Sequence, residues 1–378
     1  MSENKDGRFG PPMPAKPGDH SLQEILSQPQ CWGSCLKKME ESGLLDEIWR
    51  PLAHASEWLF VGCGSSYYVA LAAAATWTNT TGRRARVVPA SEIMLFPDLF
   101  MTRAEPQAGV VISRSGRTSE TVEATQLLES RGIRTLAVTC TDGQPLARIA
   151  TSTLSLLSAN EQSTVMTRSF SSMLLGLQCI ASSVAKNQEL TNDLQTLPRV
   201  TENVLKKAQS AVSDFVKQRQ FADYVCLGQG PFYGLACESA LKITEMSTSY
   251  AQCFHTLEFR HGPKSVVSPE TLVIFLLSET GYDAERGVLE EIKSLGGTTL
   301  TVANRADQRI CRASDLVIEL NLAVSEIARL APYAFAGQLL GLYTGLKKGL
   351  DPDNPRHLNR VVMLDEKDPA KEPRHAAL

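Results

Sequence analysis

Apolar residues in this chain gather into short runs that stop at glycine, serine or threonine, and the stretch after most stops carries its apolar positions at helical spacing. Ser21-Leu22-Gln23-Glu24-Ile25-Leu26 opens a helix that resumes around residues 35–45. Trp58-Leu59-Phe60-Val61 reads as a strand, and it meets Gly62-Cys63-Gly64-Ser65-Ser66 before an alanine-rich helix over residues 67–78. Residues 86–89 form the next strand, and Ser91-Glu92 starts a helix toward Met94. Ala108-Gly109-Val110-Val111-Ile112 is a β-branched apolar run of the kind buried in parallel sheets. It ends in Ser113-Arg114-Ser115-Gly116-Arg117-Thr118, after which Val122, Leu127 and Leu128, set among Glu120, Glu123 and Glu129, predict an amphipathic helix to Ser130. A strand over residues 135–139 follows. Strands alternating with helices predict an α/β architecture: a doubly wound parallel sheet that binds ligands beyond the carboxyl ends of its strands.

The second half repeats the first. Tyr224-Val225-Cys226-Leu227-Gly228-Gln229-Gly230-Pro231-Phe232-Tyr233-Gly234 mirrors Leu59-Phe60-Val61-Gly62-Cys63-Gly64-Ser65-Ser66-Tyr67-Tyr68-Val69: apolar strand, Gly-x-Gly, aromatic pair, helix of small residues. Residues 271–277 match the central strand, 285–295 its helix, and 298–302 the strand at 135–139. The pattern predicts two tandem doubly wound parallel-sheet domains related by internal repeat, at roughly 50–195 and 210–350, joined by a helical stretch. The expected divisions are a disordered tail at 1–20, a helical segment at 21–49, domains at 50–200 and 201–350, and a C-terminal tail at 351–378.

Chemistry concentrates at the turns. Ser113, Ser115 and Thr118 precede a helix, where free backbone N–H groups and the helix dipole attract anions. A hydroxyl there also serves as an ordinary N-cap. One cap would satisfy the helix, so three hydroxyls and Gly116 within six residues favour a phosphate. The second copy has Ser278-Glu279-Thr280-Gly281-Tyr282-Asp283 instead, and Glu279 and Asp283 would repel an anion, which leaves one phosphate site per chain. The second copy supplies other groups. Glu238, Lys242 and Glu245 share one helix face, either as a solvated stripe or as a pocket wall whose burial tunes a carboxylate for proton transfer. His261, followed by Gly262-Pro263, sits on a restricted loop that suits an oriented imidazole, although a lone loop histidine is more often incidental; His255 is read as incidental.

Composition narrows the class. The 378 residues carry a formal net charge of −3 with no basic block, which argues against nucleic-acid and anionic-membrane partners. Nine scattered cysteines without metal-ligand spacing read as reduced core thiols, so no metal is expected and a cytoplasmic protein is. The first twenty residues are rich in proline, glycine and charge and do not read as a signal peptide, and no apolar run is long enough to span a bilayer. No cofactor is expected.

Four ordered blocks carry a resemblance: Gly62-Cys63-Gly64-Ser65-Ser66; Ser113-Arg114-Ser115-Gly116-Arg117-Thr118-Ser119-Glu120-Thr121; Glu238-Ser239-Ala240-Leu241-Lys242 through Glu245; and Arg260-His261-Gly262-Pro263. From about Glu24 to Arg360 the chain resembles the sugar isomerase (SIS) domain family, which implies the flavodoxin-like form of the fold. Asp353-Asn354-Pro355-Arg356-His357-Leu358-Asn359-Arg360 is similar to the closing motif of the isomerase half of glucosamine-6-phosphate synthases, and Glu24-Ile25-Leu26-Ser27-Gln28-Pro29 to the segment that opens that half. The resemblance implies that Ser65, Ser66, Ser113, Ser115 and Thr118 bind a sugar phosphate, with Gly64, Thr164, Lys242 and Arg360 completing the substrate-binding set. It implies that Glu245 moves a proton between C1 and C2, and that His261 opens the sugar ring from a neighbouring subunit of a homodimer.

The chain departs from the synthases in three ways. It begins Met1-Ser2, where the synthases have a glutaminase domain with an N-terminal cysteine, so no glutaminase activity is expected. Arg360 stands where their closing motif has a lysine, and Arg114 and Arg117 add charge-assisted contacts to the turn. Residues 259–265, with Ser163-Thr164 and Met166-Thr167-Arg168-Ser169-Phe170, are closer to tagatose-6-phosphate ketose/aldose isomerases and amino-sugar-phosphate deaminases. The expected activity is isomerisation or deamination of a hexose or amino-sugar 6-phosphate. The alternative is a non-catalytic sugar-phosphate-sensing protein. Such sensors tend to carry a basic DNA-binding domain or to lack the Glu/His pair, so keeping Glu245 and His261 favours the enzyme.

Overall fold

The computed structural model describes residues 16–364 of the chain, apart from 42, 103 and 104. Most of the expected N-terminal tail and the end of the C-terminal tail lie outside these residues. Helix α1 (Asp19–Leu26) starts behind Gly18, whose φ of 77° favours glycine, and so begins within the stretch read as tail. Helix α2 (Gln28–Met39) starts earlier than its apolar pattern suggests, with Pro29 in its first turn, and α3 (Leu44–Trp49) follows.

The first sheet contains β1 (Glu57–Gly62), β2 (Arg84–Pro89), β3 (Gln107–Ile112), β4 (Thr135–Thr139) and β5 (Ser152–Ser155), all parallel, in the order β2-β1-β3-β4-β5. Helices α4 (Ser65–Thr81), α5 (Ala90–Leu95), α6 (Ser119–Ser130) and α7 (Pro145–Ile149) make its connections. Two helices, α8 (Arg168–Ala185) and α9 (Gln188–Gln218), lead to the second half. There β6 (Asp223–Gly228), α10 (Phe232–Ser247), β7 (Tyr250–His255), β8 (Thr271–Leu276), α11 (Tyr282–Ser294), β9 (Thr298–Ala303), α12 (Gln308–Ala313), β10 (Leu316–Glu319) and α13 (Leu330–Lys347) follow. The second sheet runs β7-β6-β8-β9-β10, again parallel, so both halves share the chain order 2-1-3-4-5. That is the doubly wound, flavodoxin-like arrangement, built twice. Strands β1, β3 and β8 are buried on both faces, as their unbroken apolar runs require.

The halves meet through helices. At Gly234 of α10 a Cβ atom would lie 2.7 Å from the backbone of Tyr68 and Ala72 in α4, so only glycine admits this close crossing. On α13, Gly337, Gly341 and Gly345 fall at four-residue spacing and face the backbone of α10 at Ser239, Lys242 and Met246. Helix α10 is thereby clamped on two sides. Among the described residues no helix is long and apolar enough to cross a membrane.

Candidate active site

Strands β1 and β3 are neighbours at the point where the strand order reverses, with Val61 opposite Val111. The turns that leave them, 62–66 and 113–118, therefore emerge side by side, and each feeds a helix N-terminus. Gly64 adopts φ 53° and ψ −128°, and a Cβ at Gly62 would meet the Ser66 carbonyl at 2.7 Å, so the first turn folds tightly onto its helix. In the second turn Gly116 has φ 63°. Thr118 is the N-cap of α6, yet its side chain caps nothing. Its hydroxyl instead lies 3.5 Å from the buried Ser113 Oγ. Ser115 Oγ accepts the Arg117 N–H at 3.2 Å. The turn thus brings Ser113 and Thr118 together without using Thr118 Oγ1 to cap α6, while Ser115 Oγ serves the backbone of Arg117. The segment near residue 362 crosses the same helix end: Ser119 N–H donates to the Val362 carbonyl at 3.3 Å.

Ser65 turns toward the second half. Its Oγ donates to Glu238 Oε1 at 3.1 Å and accepts from Lys242 Nζ at 3.2 Å. Lys242 Nζ also lies 3.4 Å from Glu238 Oε1 and is paired directly with Glu245. Glu238 and Lys242 are 1 % exposed, whereas the Glu245 side chain is 18 % exposed and lines a pocket of about 240 Å³ with Thr248, Asp351, Asn354 and Arg356, to which the turns at 62–66 and 113–118 do not contribute. The face that the sequence left open between stripe and pocket wall is therefore a buried row reaching the surface only at Glu245.

Burial, opposed by Lys242 and reinforced by Glu245, pushes the Glu238 carboxyl up to about 8. Burial alone would lower Lys242, but Glu238 and Glu245 outweigh it and leave Lys242 above its ordinary range. Lys242 thus keeps its charge between two acidic groups, of which the buried Glu238 is the weaker acid. The unfolded carboxyl ionises near 4.5 and the folded one near 8, so this group lowers stability as pH rises through that window and no further above it. Glu238→Gln should flatten that slope in urea midpoints taken between pH 4.5 and 8. An unchanged slope would show that no proton is held there.

Arg114 does not face the anion turn as expected. Its guanidinium is buried against Glu161 at 3.2 Å and donates to the carbonyls of Val165 at 3.1 Å, Thr164 at 2.8 Å and Arg360 at 3.2 Å. Thr164 contributes backbone groups, its N–H donating to the Asp353 carbonyl at 3.0 Å. The exposed Arg360 guanidinium donates to Asn160 Oδ1 at 2.8 Å and to the Glu161 carbonyl. The sequence reading missed the carboxylates that organise this region. Glu161 also accepts from Thr167 N–H at 2.7 Å and from Ser169, while Glu24 accepts from Gln162 and Ser163. Asp353 accepts from Ser21 N–H and Oγ at 2.7 and 2.6 Å. The cluster of hydroxyls at 163–171 was the available signal, since buried carboxylates need such donors.

The equivalent turn of the second half is already filled. Glu326 accepts from the backbone N–H groups of Glu279 and Thr280 and from Thr280 Oγ1 at 2.7 Å, and Glu285 accepts from Ser278. Repulsion from Glu279 and Asp283 is therefore not the main obstacle to an anion; the chain's own carboxylates occupy the donors. Arg329 pairs with Glu279 in turn. His261 is exposed, and among the described residues its ring has no hydrogen-bond partner and does not reach Glu245.

The SIS domain profile matches residues 51–183 and 224–340, one copy in each half. A glucosamine-6-phosphate deaminase from Thermotoga maritima has a similar structure, with TM-score 0.74 and 28% identity, covering 92% of this chain and 100% of that one. The tagatose-6-phosphate ketose/aldose isomerase from Escherichia coli superposes with TM-score 0.81 at 22% identity, over 94% of this chain and 100% of that one, a likeness of fold. The glutamine–fructose-6-phosphate aminotransferase (isomerizing) of Pyrobaculum aerophilum is 28% identical over 362 residues, which are 91% of this chain. This chain spans 57% of that relative's length. Two matched copies, each on its own 2-1-3-4-5 parallel sheet, place the chain in the SIS domain family.

Proposed function

We propose that this chain is a sugar-phosphate isomerase or amino-sugar-phosphate deaminase, acting on a hexose or amino-hexose 6-phosphate. The observation that carries this reading is the row Glu238–Lys242–Glu245, joined through Ser65 to one helix N-terminus beside a second turn of convergent hydroxyls. In the proposed reaction, Ser113, Ser115 and Thr118 hold the phosphate. Glu245 removes a proton from one of the carbons C1 and C2 and returns it to the other, with Lys242 fixing its orientation. His261 opens the ring. The likeness to the Thermotoga maritima deaminase, over all of that chain, supports a nitrogen-bearing substrate.

A panel of hexose and amino-hexose 6-phosphates, assayed for ketose formation and for ammonia release, tests this directly. Binding of a panel member with neither product would convert the reading to a sensor. Turnover of glutamine would overturn it. Ser113→Ala should weaken binding of the active sugar phosphate by about 1.5–3 kcal/mol, the scale of a hydrogen bond to a charged group. Unchanged affinity by calorimetry would move the phosphate elsewhere.

The exposed His261 supports a site completed across a two-fold axis, with each chain's imidazole serving its partner. Ser113→Ala chains mixed with His261→Ala chains should then regain part of the lost activity after subunit exchange. Proven exchange without recovery would place both residues in one chain's site.

A further inference from the structure

Helix α10 carries a second chemical feature, one residue ahead of Glu238. Cys237 and Cys253, the latter on edge strand β7, bring their sulfur atoms to 3.0 Å, well inside the separation of two sulfurs merely in contact and about 1 Å from bonding distance. Cys237 is buried and Cys253 half-buried. Cys226 on β6 stands directly beside Cys253 in the sheet register and is fully buried. Tyr233, one turn before Cys237, stacks its ring on His255 at 3.8 Å and interacts with both thiols. Among the described residues no group of three or more histidine, cysteine and carboxylate side chains is arranged to hold a metal.

We propose that Cys237 and Cys253 are a thiol–disulfide exchange site, with Cys253 the attacking sulfur and Cys237 the resolving one. The oxidant is a small-molecule disulfide. Cys253 thiolate attacks one sulfur of that disulfide, forming a mixed disulfide and expelling one thiolate. Cys237 then loses its proton and attacks Cys253 Sγ, expelling the second thiolate. Two protein thiols become one disulfide, and the oxidant is reduced to two thiols. The roles follow from position, since only Cys253 is open to a solute. The local contacts agree: the neighbouring Cys237 and a hydrogen bond with Tyr233 hold the Cys253 thiol below its ordinary range, while the contact with Cys253 and burial push Cys237 above it. The bond would fasten α10 to the edge of its sheet one residue ahead of Glu238. This inference does not depend on the reaction proposed above.

The test is to incubate the folded chain with glutathione disulfide, alkylate the remaining thiols and map the products by peptide mass spectrometry. The expected product links 237 to 253 and is reversed by dithiothreitol. The exposed Cys311 should carry a glutathione adduct and so reports that the oxidant acted. Cys237→Ser should trap glutathione on Cys253, and Cys253→Ser should leave Cys237 unmodified. A linked 226–253 pair, or both thiols alkylated while Cys311 is modified, would overturn the assignment. Because the wild-type map is decisive on its own, a variant that fails to fold does not rescue the idea.

Discussion

Replacing Glu245 with glutamine is expected to lower turnover by roughly 100-fold or more while leaving sugar-phosphate binding largely in place, the scale of a positioned acid–base group. Glu245 is the member of the buried row that reaches a pocket, and Lys242 holds it from behind. Glutamine keeps the shape and a hydrogen-bonding oxygen but cannot take a proton from carbon. Incorporation of solvent deuterium at C1 or C2 should disappear together with turnover. If exchange continues at the normal rate, Glu245 is a wall residue and the proton moves elsewhere.

The second large effect is on stability. Arg114→Ala should cost about 3–5 kcal/mol in urea unfolding, because it leaves the Glu161 carboxylate buried without its cation. It also removes the donors that hold the carbonyls of Thr164, Val165 and Arg360, so the anion turn loses its backing. A loss below about 1 kcal/mol, the range of an exposed pair, would show that the site admits water. Arg114→Met combined with Glu161→Gln should recover much of the loss, since the pair is then removed from both sides.

The central strands were legible because burial on both faces writes itself as unbroken apolar runs, as at 107–112 and 271–276, whereas the half-exposed edge strands at 152–155, 250–255 and 316–319 left no such run and were not read. Duplication made the second half readable from the first. The form of the turn at 113–118 was legible too, because a strand, a glycine and a helix start are local features. What escaped was decided by partners far along the chain. Nothing near Arg114 reveals that its guanidinium turns inward to Glu161, or that Ser65 faces Glu238 and Lys242 instead of the anion turn. Nor does Ser278-Glu279-Thr280-Gly281 disclose that Glu326 sits on its backbone donors.

The tie between Asp353 and the start of α1 has a consequence for how the molecule is made. His20 and Ser21 donate to Asp353 across 333 and 332 residues of sequence. Contacts so distant in the chain close late, after the loop they span has been ordered. Helix α1 can reach Gln162 and Ser163 through Glu24 once the first half is made, but its N-terminal turn waits for the Asp353 carboxylate, and the backbone carbonyl of the same Asp353 accepts the Thr164 N–H beside the 113–118 turn. Each sheet can form as its own half is completed, but the backing of the site is a late event in biogenesis.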